Sequence, residues 1–202
     1  FWLMAGAVFE ILWRTKVLSA PLAESLRRAR GLPRSAWGAT LGHAGLGVML
    51  LGIVATSAWR TEVVTVMSIG ETLPVAGRDV TFESVTSRMG PNYSEEVGTF
   101  TVHENGRQVA VLESAKRLYT VRRQPTTEAG IRSFIGGDLY VVLGEPSGEG
   151  KHVVRINDNP LVTLIWFGAY IMVLGGAFSL SDRRLRVGSP RSASRIAAVP
   201  AE

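Results

Sequence analysis

The chain contains no cysteine in its 202 residues. A disulfide framework, a thiolate metal site, thiol redox chemistry and a cysteine nucleophile are therefore excluded. Histidine occurs only at His43, His103 and His152, and His103-Glu104 lacks the second histidine of a zinc-binding helix. The stretch from Gly144 to Gly150-Lys151 imitates a phosphate loop. It has one residue too many between its glycines, and His152 stands where magnesium needs Ser or Thr, so it reads as a hairpin turn. Charged residues make up only 19% of the chain and are missing altogether from Gly38–Trp59, apart from the ionisable His43, and from Leu161–Ser181. No constellation of an ordinary soluble enzyme remains.

The uncharged runs are themselves informative. About 20 apolar residues at about 1.5 Å each cross a bilayer core of about 30 Å, so residues 37–59 and 160–180 are predicted transmembrane helices. A third run, Phe1–Trp13, opens on Phe and has no basic n-region of a signal peptide. Residues 1–18 are read as the end of a truncated transmembrane helix, which predicts a piece of a longer membrane protein. Lys and Arg crowd residues 14–36, six against Glu24, and residues 181–202, five against Asp182 and Glu202. The other eleven are spread over residues 60–159 among thirteen acids. Because basic residues near span ends mark the cytoplasmic side, residues 19–36 are predicted to be a cytoplasmic loop and 181–202 a disordered cytoplasmic tail, with 60–159 on the far side of the membrane. The net charge of +5 follows from this topology, and no nucleic-acid partner is expected.

Between the spans, apolar and polar residues alternate with period two between turn signals. Strands are predicted near Glu62–Ile69, Asp79–Val85, Val97–His103, Arg107–Glu113, Lys116–Arg122, Ile131–Phe134, Asp138–Leu143 and Lys151–Ile156. Asn105-Gly106 suits the two φ > 0 positions of a type I′ hairpin turn. The predicted fold class is integral membrane α-helical segments joined to an all-β domain, a small antiparallel barrel or sandwich.

His43 is the one ionisable side chain in the first uncharged run. An ionisable group at that depth faces a bundle interior or a functional cavity. Gly38, Gly42 and Gly45 form a smooth stripe beside it and Gly47 lies one turn beyond it. Three readings stand side by side: small-residue helix packing with the imidazole hydrogen-bonded across the interface, axial ligation of a haem in a groove opened by Gly42 and Gly47, and a proton relay. Thr40 is a candidate to fix the tautomer of the ring. His103 and His152 read as exposed strand residues. Lys116, Arg117, Arg122 and Arg123 around Tyr119 form a basic cluster that reads first as a solvated face and otherwise suits carboxylates, either of haem or of an acidic docking partner. Trp37, Trp59 and Trp166 read as interfacial anchors or bundle packing, and Asn92-Tyr93-Ser94 fits a glycosylation sequon.

Several segments together carry a resemblance: Trp37-Gly38, His43, Gly45-Leu46 and Gly52-Ile53; Gly90-Pro91-Asn92-Tyr93; Lys116-Arg117 with Tyr119; Thr127-Glu128-Ala129; Asp138-Leu139-Tyr140 with Leu143-Gly144-Glu145; and Pro160, Ile165-Trp166, Gly168, Met172, Leu174-Gly175-Gly176 and Asp182-Arg183-Arg184. Over roughly residues 30–186 the chain resembles the C-terminal part of the CcmF family (CcmF, NrfE and CycK), the haem lyase component of bacterial cytochrome c maturation. It departs at Leu164, where the family often has tryptophan.

The resemblance implies a multi-pass inner-membrane protein with residues 60–159 in the periplasm. Its partners would be the haem chaperone CcmE, the apocytochrome-handling subunits CcmH and CcmI, apocytochrome c, quinol as electron source and membrane lipid. It implies a b-type haem between two transmembrane histidines, His43 matching one, with the second axial ligand outside this chain and no metal site other than the haem iron. The chain would then be an inactive end of a haem lyase joining haem to Cys-x-x-Cys-His thiols. The alternative is a non-catalytic membrane-anchored β interaction module with a structural transmembrane histidine.

Overall fold

The computed structural model describes residues 2–121 and 123–182. The described chain divides into two compact units. One is formed by its two ends, up to Gly47 and from Gly168, and the other by Val48–Phe167. The helices are α1 (Trp2–Thr15), α2 (Leu22–Gly31), α3 (Arg34–Trp59) and α4 (Thr163–Leu180). Two of them, α3 and α4, are long and apolar enough to cross a membrane. Their apolar residues run around the whole helix, as in a helix with no aqueous face.

In the first unit, the segment expected as a basic loop carries α2. Pro21 opens it without needing an N–H, Glu24 lies in the first turn, and Arg28 and Arg30 lie in the last, each favouring the helix dipole. Arg28 also reaches back to Glu24, Nε to Oε1 3.0 Å, and that hydrogen bond and charge hold the Glu24 carboxyl below its ordinary pKa. The tail expected to be disordered lies outside the described residues from 183 onward.

The second unit contains nine strands: β1 (Thr61–Ser68), β2 (Thr72–Val75), β3 (Arg78–Met89), β4 (Tyr93–Glu104), β5 (Arg107–Tyr119), β6 (Pro125–Glu128), β7 (Gly130–Phe134), β8 (Gly137–Pro146) and β9 (Lys151–Pro160). They form two antiparallel sheets, β1-β9-β8-β7 and β2-β3-β4-β5-β6, so the domain is a sandwich. The chain changes sheets between β6 and β7 at Ala129-Gly130, where a Cβ on Gly130 would stand 2.8 Å from the Glu113 carbonyl. The inner faces close a core of Met67, Val80, Phe82, Phe100, Val102, Leu139, Val141, Leu143, Val154 and Ile156. Phe82 and Phe100 stack across β3 and β4 with centroids 4.9 Å apart.

Two strands went unpredicted, β2 and β6, and the two predicted over 107–122 are the single β5. Ser114 and Ala115 are buried in succession, which breaks the alternation where β6 joins the free side of the strand while its pairing with β4 continues. The Ser114 hydroxyl donates to the Glu128 carbonyl at 2.8 Å and accepts from the Leu143 N–H at 2.9 Å, joining the sheets. Ser114→Ala leaves that N–H buried without an acceptor, which should lower stability by about 1–3 kcal/mol. Urea unfolding of the isolated sandwich checks it, with Ser94→Ala as the comparison.

Asn105 and Gly106 turn the β4–β5 hairpin at φ 51° and 75°, as type I′ geometry requires. The β2–β3 turn has the same geometry without the usual residues, with Ala76 at φ 49° ahead of Gly77 at φ 80°. A Cβ at such a φ costs about 1–2 kcal/mol, so Ala76→Asn or Ala76→Gly should raise the melting temperature of the sandwich. An unchanged or lower value would contradict the strain.

On the outer face of the larger sheet, Arg88 pairs with Glu113 through both guanidinium nitrogens, at 2.9 and 2.8 Å. The hydrogen bond and then the charge of Arg88 lower the Glu113 pKa despite an opposing desolvation contribution. The stability from this exposed pair is therefore present above the ordinary glutamate pKa and fades as pH falls through the depressed folded value; screening keeps it small.

Candidate functional site

The faces of α3 determine what His43 can reach. Gly38 and Gly45 lie against α4: a Cβ on Gly38 would meet the Gly175 carbonyl at 2.5 Å, and one on Gly45 the Gly168 carbonyl at 2.7 Å. The Gly42 backbone approaches Gly175 on the same side. Gly47 turns to α1, where Met4 and Leu3 occupy the space of its missing side chain. Gly38, Gly45 and Gly47 thus face two neighbouring helices, whereas a Cβ on Gly42 would meet nothing within 4 Å. A helix crowded with glycine lets backbones come this close, and the packing partner takes the room.

His43 lies between these two contact faces and is exposed, together with Ala39, Leu46 and Leu50. Neither α1 nor α4 covers this side. Thr40, suggested as its tautomer-fixing partner, is buried instead and donates to the Ala36 carbonyl at 3.0 Å. The imidazole is therefore a single nitrogen donor on an open apolar helix face. That suits one axial position on a haem iron, where a neutral imidazole in low-polarity surroundings is the usual ligand. Among the described residues no three His, Asp or Glu side chains gather into a metal cluster.

The other two histidines belong to the sandwich and differ from expectation. His103 is half-buried at the end of β4. His152 is half-buried on β9 with its ring edge-on to Phe82 at 5.8 Å, and its buried Nδ1 has no hydrogen-bond partner among the described residues. Its neighbours in sequence are polar, but β9 pairs it with Met67 of β1, beside the core.

The basic cluster is likewise rearranged. Lys116 pairs with Glu145. Arg117 pairs with Glu95 at 2.7 Å and Glu128 at 3.1 Å and lies over the Tyr93 ring at 4.7 Å. The Glu95 carboxylate holds the Arg117 guanidinium above its ordinary pKa. Tyr119 packs edge-on to Tyr93, centroids 5.6 Å apart, and the Arg123 amide closes a turn onto the Tyr119 carbonyl at 2.8 Å. Arg122 lies outside the described residues. Strand register places Glu95 opposite Arg117, so Lys116 and Arg117 each have a carboxylate partner within the domain.

Sequence reasoning missed a groove of about 550 Å³ on the outer face of the four-stranded sheet, with Val64, Val142 and Val153 among its walls and Tyr140, Arg155 and Asn157 beside them. Val153, Arg155 and Asn157 repeat with period two on β9, and that repeat was the available signal.

A β-sandwich inserted between two span-length apolar helices, the first bearing a lone histidine, defines a restricted class of protein. Residues 58–160 match the family described as the CcmF C-terminal beta-sandwich, and the chain belongs to the CcmF family. It is 47% identical over 190 residues to the cytochrome c-type biogenesis protein CycK of Bradyrhizobium diazoefficiens, covering 94% of this chain and 29% of that protein. It is 43% identical to CcmF of Pseudomonas aeruginosa over 80% of this chain and 25% of that protein. The solved cytochrome c haem lyase CcmF shares the fold at a TM-score of 0.62 and 17% identity, over 73% of this chain and 25% of its own. The chain thus spans under a third of the length of the curated relatives it matches.

Proposed function

We propose that this chain is the haem-ligating C-terminal portion of a cytochrome c maturation haem lyase. In this reading α3 and α4 cross the bacterial inner membrane, residues 14–36 and 181–202 are cytoplasmic, and the sandwich stands in the periplasm. His43 supplies one axial ligand to a b-type haem and the other comes from outside this chain. When bound, such a haem relays electrons, with quinol as their source, to the haem being attached. The protein's part is to hold an imidazole in an apolar bundle. The chain contributes no thiol, so the Cys-x-x-Cys-His cysteines of apocytochrome c provide both sulfurs. The haem chaperone CcmE and the subunits CcmH and CcmI are the proposed protein partners.

One observation carries the reading: the only ionisable side chain of α3's uncharged run lies on the side that α1 and α4 leave open. The alternative, an interaction module with a structural histidine, calls for a partner to that imidazole within the bundle, and the hydroxyl of Thr40, three residues before it, is directed to the backbone. The separating experiment is a haem absorption spectrum of the purified full-length protein with and without His43. Haem loss on His43→Ala supports the first reading, and full occupancy supports the second.

The topology has its own test. Cysteines introduced at Asn105 and Gly148 should react with a membrane-impermeant thiol reagent in intact spheroplasts, and one at Ser189 only after permeabilisation. The native chain has no cysteine to give background. External labelling at Ser189 would overturn the orientation.

A further inference from the structure

The outermost strands are β1 and β7 in one sheet and β2 and β6 in the other. Because β2 and β6 are short, β3 past Phe82 and β5 before Ala115 are also open on that side, and those stretches carry the charges Glu83, Arg88, Arg107 and Glu113. An unprotected edge is a row of free N–H and C=O groups that pairs with any extended chain, and natural edges are blunted by shortness, proline or charge. Three edges follow that rule. β2 has four residues and Pro74, β6 has four and Pro125, and β7 has five with Arg132 at its centre. β1 does not. It has eight residues, Thr-Glu-Val-Val-Thr-Val-Met-Ser, with no proline or glycine and no charge after Glu62.

Its backbone is paired with β9 alone. Among the described residues no other backbone group bonds Thr61–Met67, and only the far end is closed, where the Ser68 N–H donates to Glu71 Oε2 at 2.8 Å. Val64 and Val66 are 53% and 43% exposed. The outer face of the five-stranded sheet is different, covered by internal polar pairs such as Thr72–Thr81 and Arg88–Glu113.

A second observation lies beside the edge. The valine-walled groove contains Asn157, only 9% exposed, whose buried Oδ1 has no donor among the described residues. At the same end Arg60 and Arg155 share Glu62, at 2.8 and 3.5 Å, so two cations meet one carboxylate and one positive charge is left over. The groove thus offers apolar contact, an acceptor in need of an N–H or O–H, and a site for an anion.

We infer that β1 is a docking edge that takes an extended polypeptide segment as a fifth strand of its sheet. The segment carries β-branched or apolar residues on alternate positions and a carboxylate that reaches Arg60 and Arg155. Main-chain hydrogen bonds to an edge select an extended chain over a helix or a lipid, and the groove selects its side chains. Under the function proposed above, an apocytochrome awaiting its haem is such a chain. The partner's identity rests on that reading, whereas the edge does not.

The test uses the full chain in nanodiscs and a fluorescent twelve-residue peptide of alternating Val and Thr ending in two Glu. Anisotropy titration should show saturable binding, weakened about tenfold or more by Val64→Lys/Val66→Lys and by Arg155→Glu. Thr99→Lys, on the central strand β4 and paired on both sides, with Ser84 and with Glu113, should leave binding unchanged. A peptide N-methylated at alternate residues should not bind. Equal binding by the N-methylated peptide or by Val64→Lys/Val66→Lys would overturn the inference, as would a concentration-dependent dimer of the chain that excludes the peptide. The haem spectrum of the full-length protein is read in parallel. Lost peptide binding with an unchanged spectrum isolates the edge, and a lost spectrum with intact peptide binding sinks the haem reading alone.

Discussion

Phe82→Ala is expected to lower the unfolding free energy of the sandwich by about 3–5 kcal/mol. Phe82 is fully buried, stacked on Phe100 at 4.9 Å, and meets the His152 ring edge-on. Removing it opens a cavity between the two sheets where β3 carries its one register shift, between Phe82 and Ser84. A strand already bulged there cannot slide to refill the space without moving its inward residues off the core face. Domains of this size hold only about 5–15 kcal/mol in total, so the variant should be close to unfolded at 37 °C. Thermal melting of residues 60–160 expressed alone is the check. A melting temperature within a few degrees of the unaltered domain would mean that the core is not organised around this pair.

The second large effect belongs to α3 under the proposed function. In the full-length protein, His43→Ala should reduce holocytochrome c formation about tenfold or more, because an axial ligand sets both haem retention and potential. His103→Ala should leave maturation unchanged. His152→Ala should also keep the haem but lower the stability of the sandwich, since its ring supports Phe82. Gly47→Leu gives a useful contrast. Its side chain would strike Met4 of α1, so it should impair packing of the helices without altering the ligand, whereas Leu50→Ala, on the exposed side, should do little. A maturation defect as large in Leu50→Ala as in His43→Ala would point to general damage of the bundle.

What the sequence made legible follows from the range of each interaction. The uncharged runs gave α3 and α4 because charge exclusion is a property of composition alone. The Asn105-Gly106 hairpin was readable because a type I′ turn is local. β2 and β6 were hidden by Pro74 and Pro125, which in a sequence argue against a strand and on an edge are allowed. α2 was hidden by its arginines, counted for topology when their spacing from Glu24 also made a helix. Pairing across β4, β5 and β6 neutralises Arg117, and no local pattern shows that Glu95 stands opposite it. The glycine stripe announced a close contact but not its occupant. Gly38 and Gly45 pack on α4 and Gly47 on α1, while the space at Gly42 is open.

The central claim is that His43 ligates a haem iron, and chemical rescue tests it most directly. In the purified full-length protein, His43→Gly removes the imidazole while keeping a residue that the glycine-rich helix tolerates. The reduced-minus-oxidised difference spectrum should lose its b-type α band in this variant and recover it when free imidazole is added. A band of full amplitude in His43→Gly without imidazole would contradict the assignment.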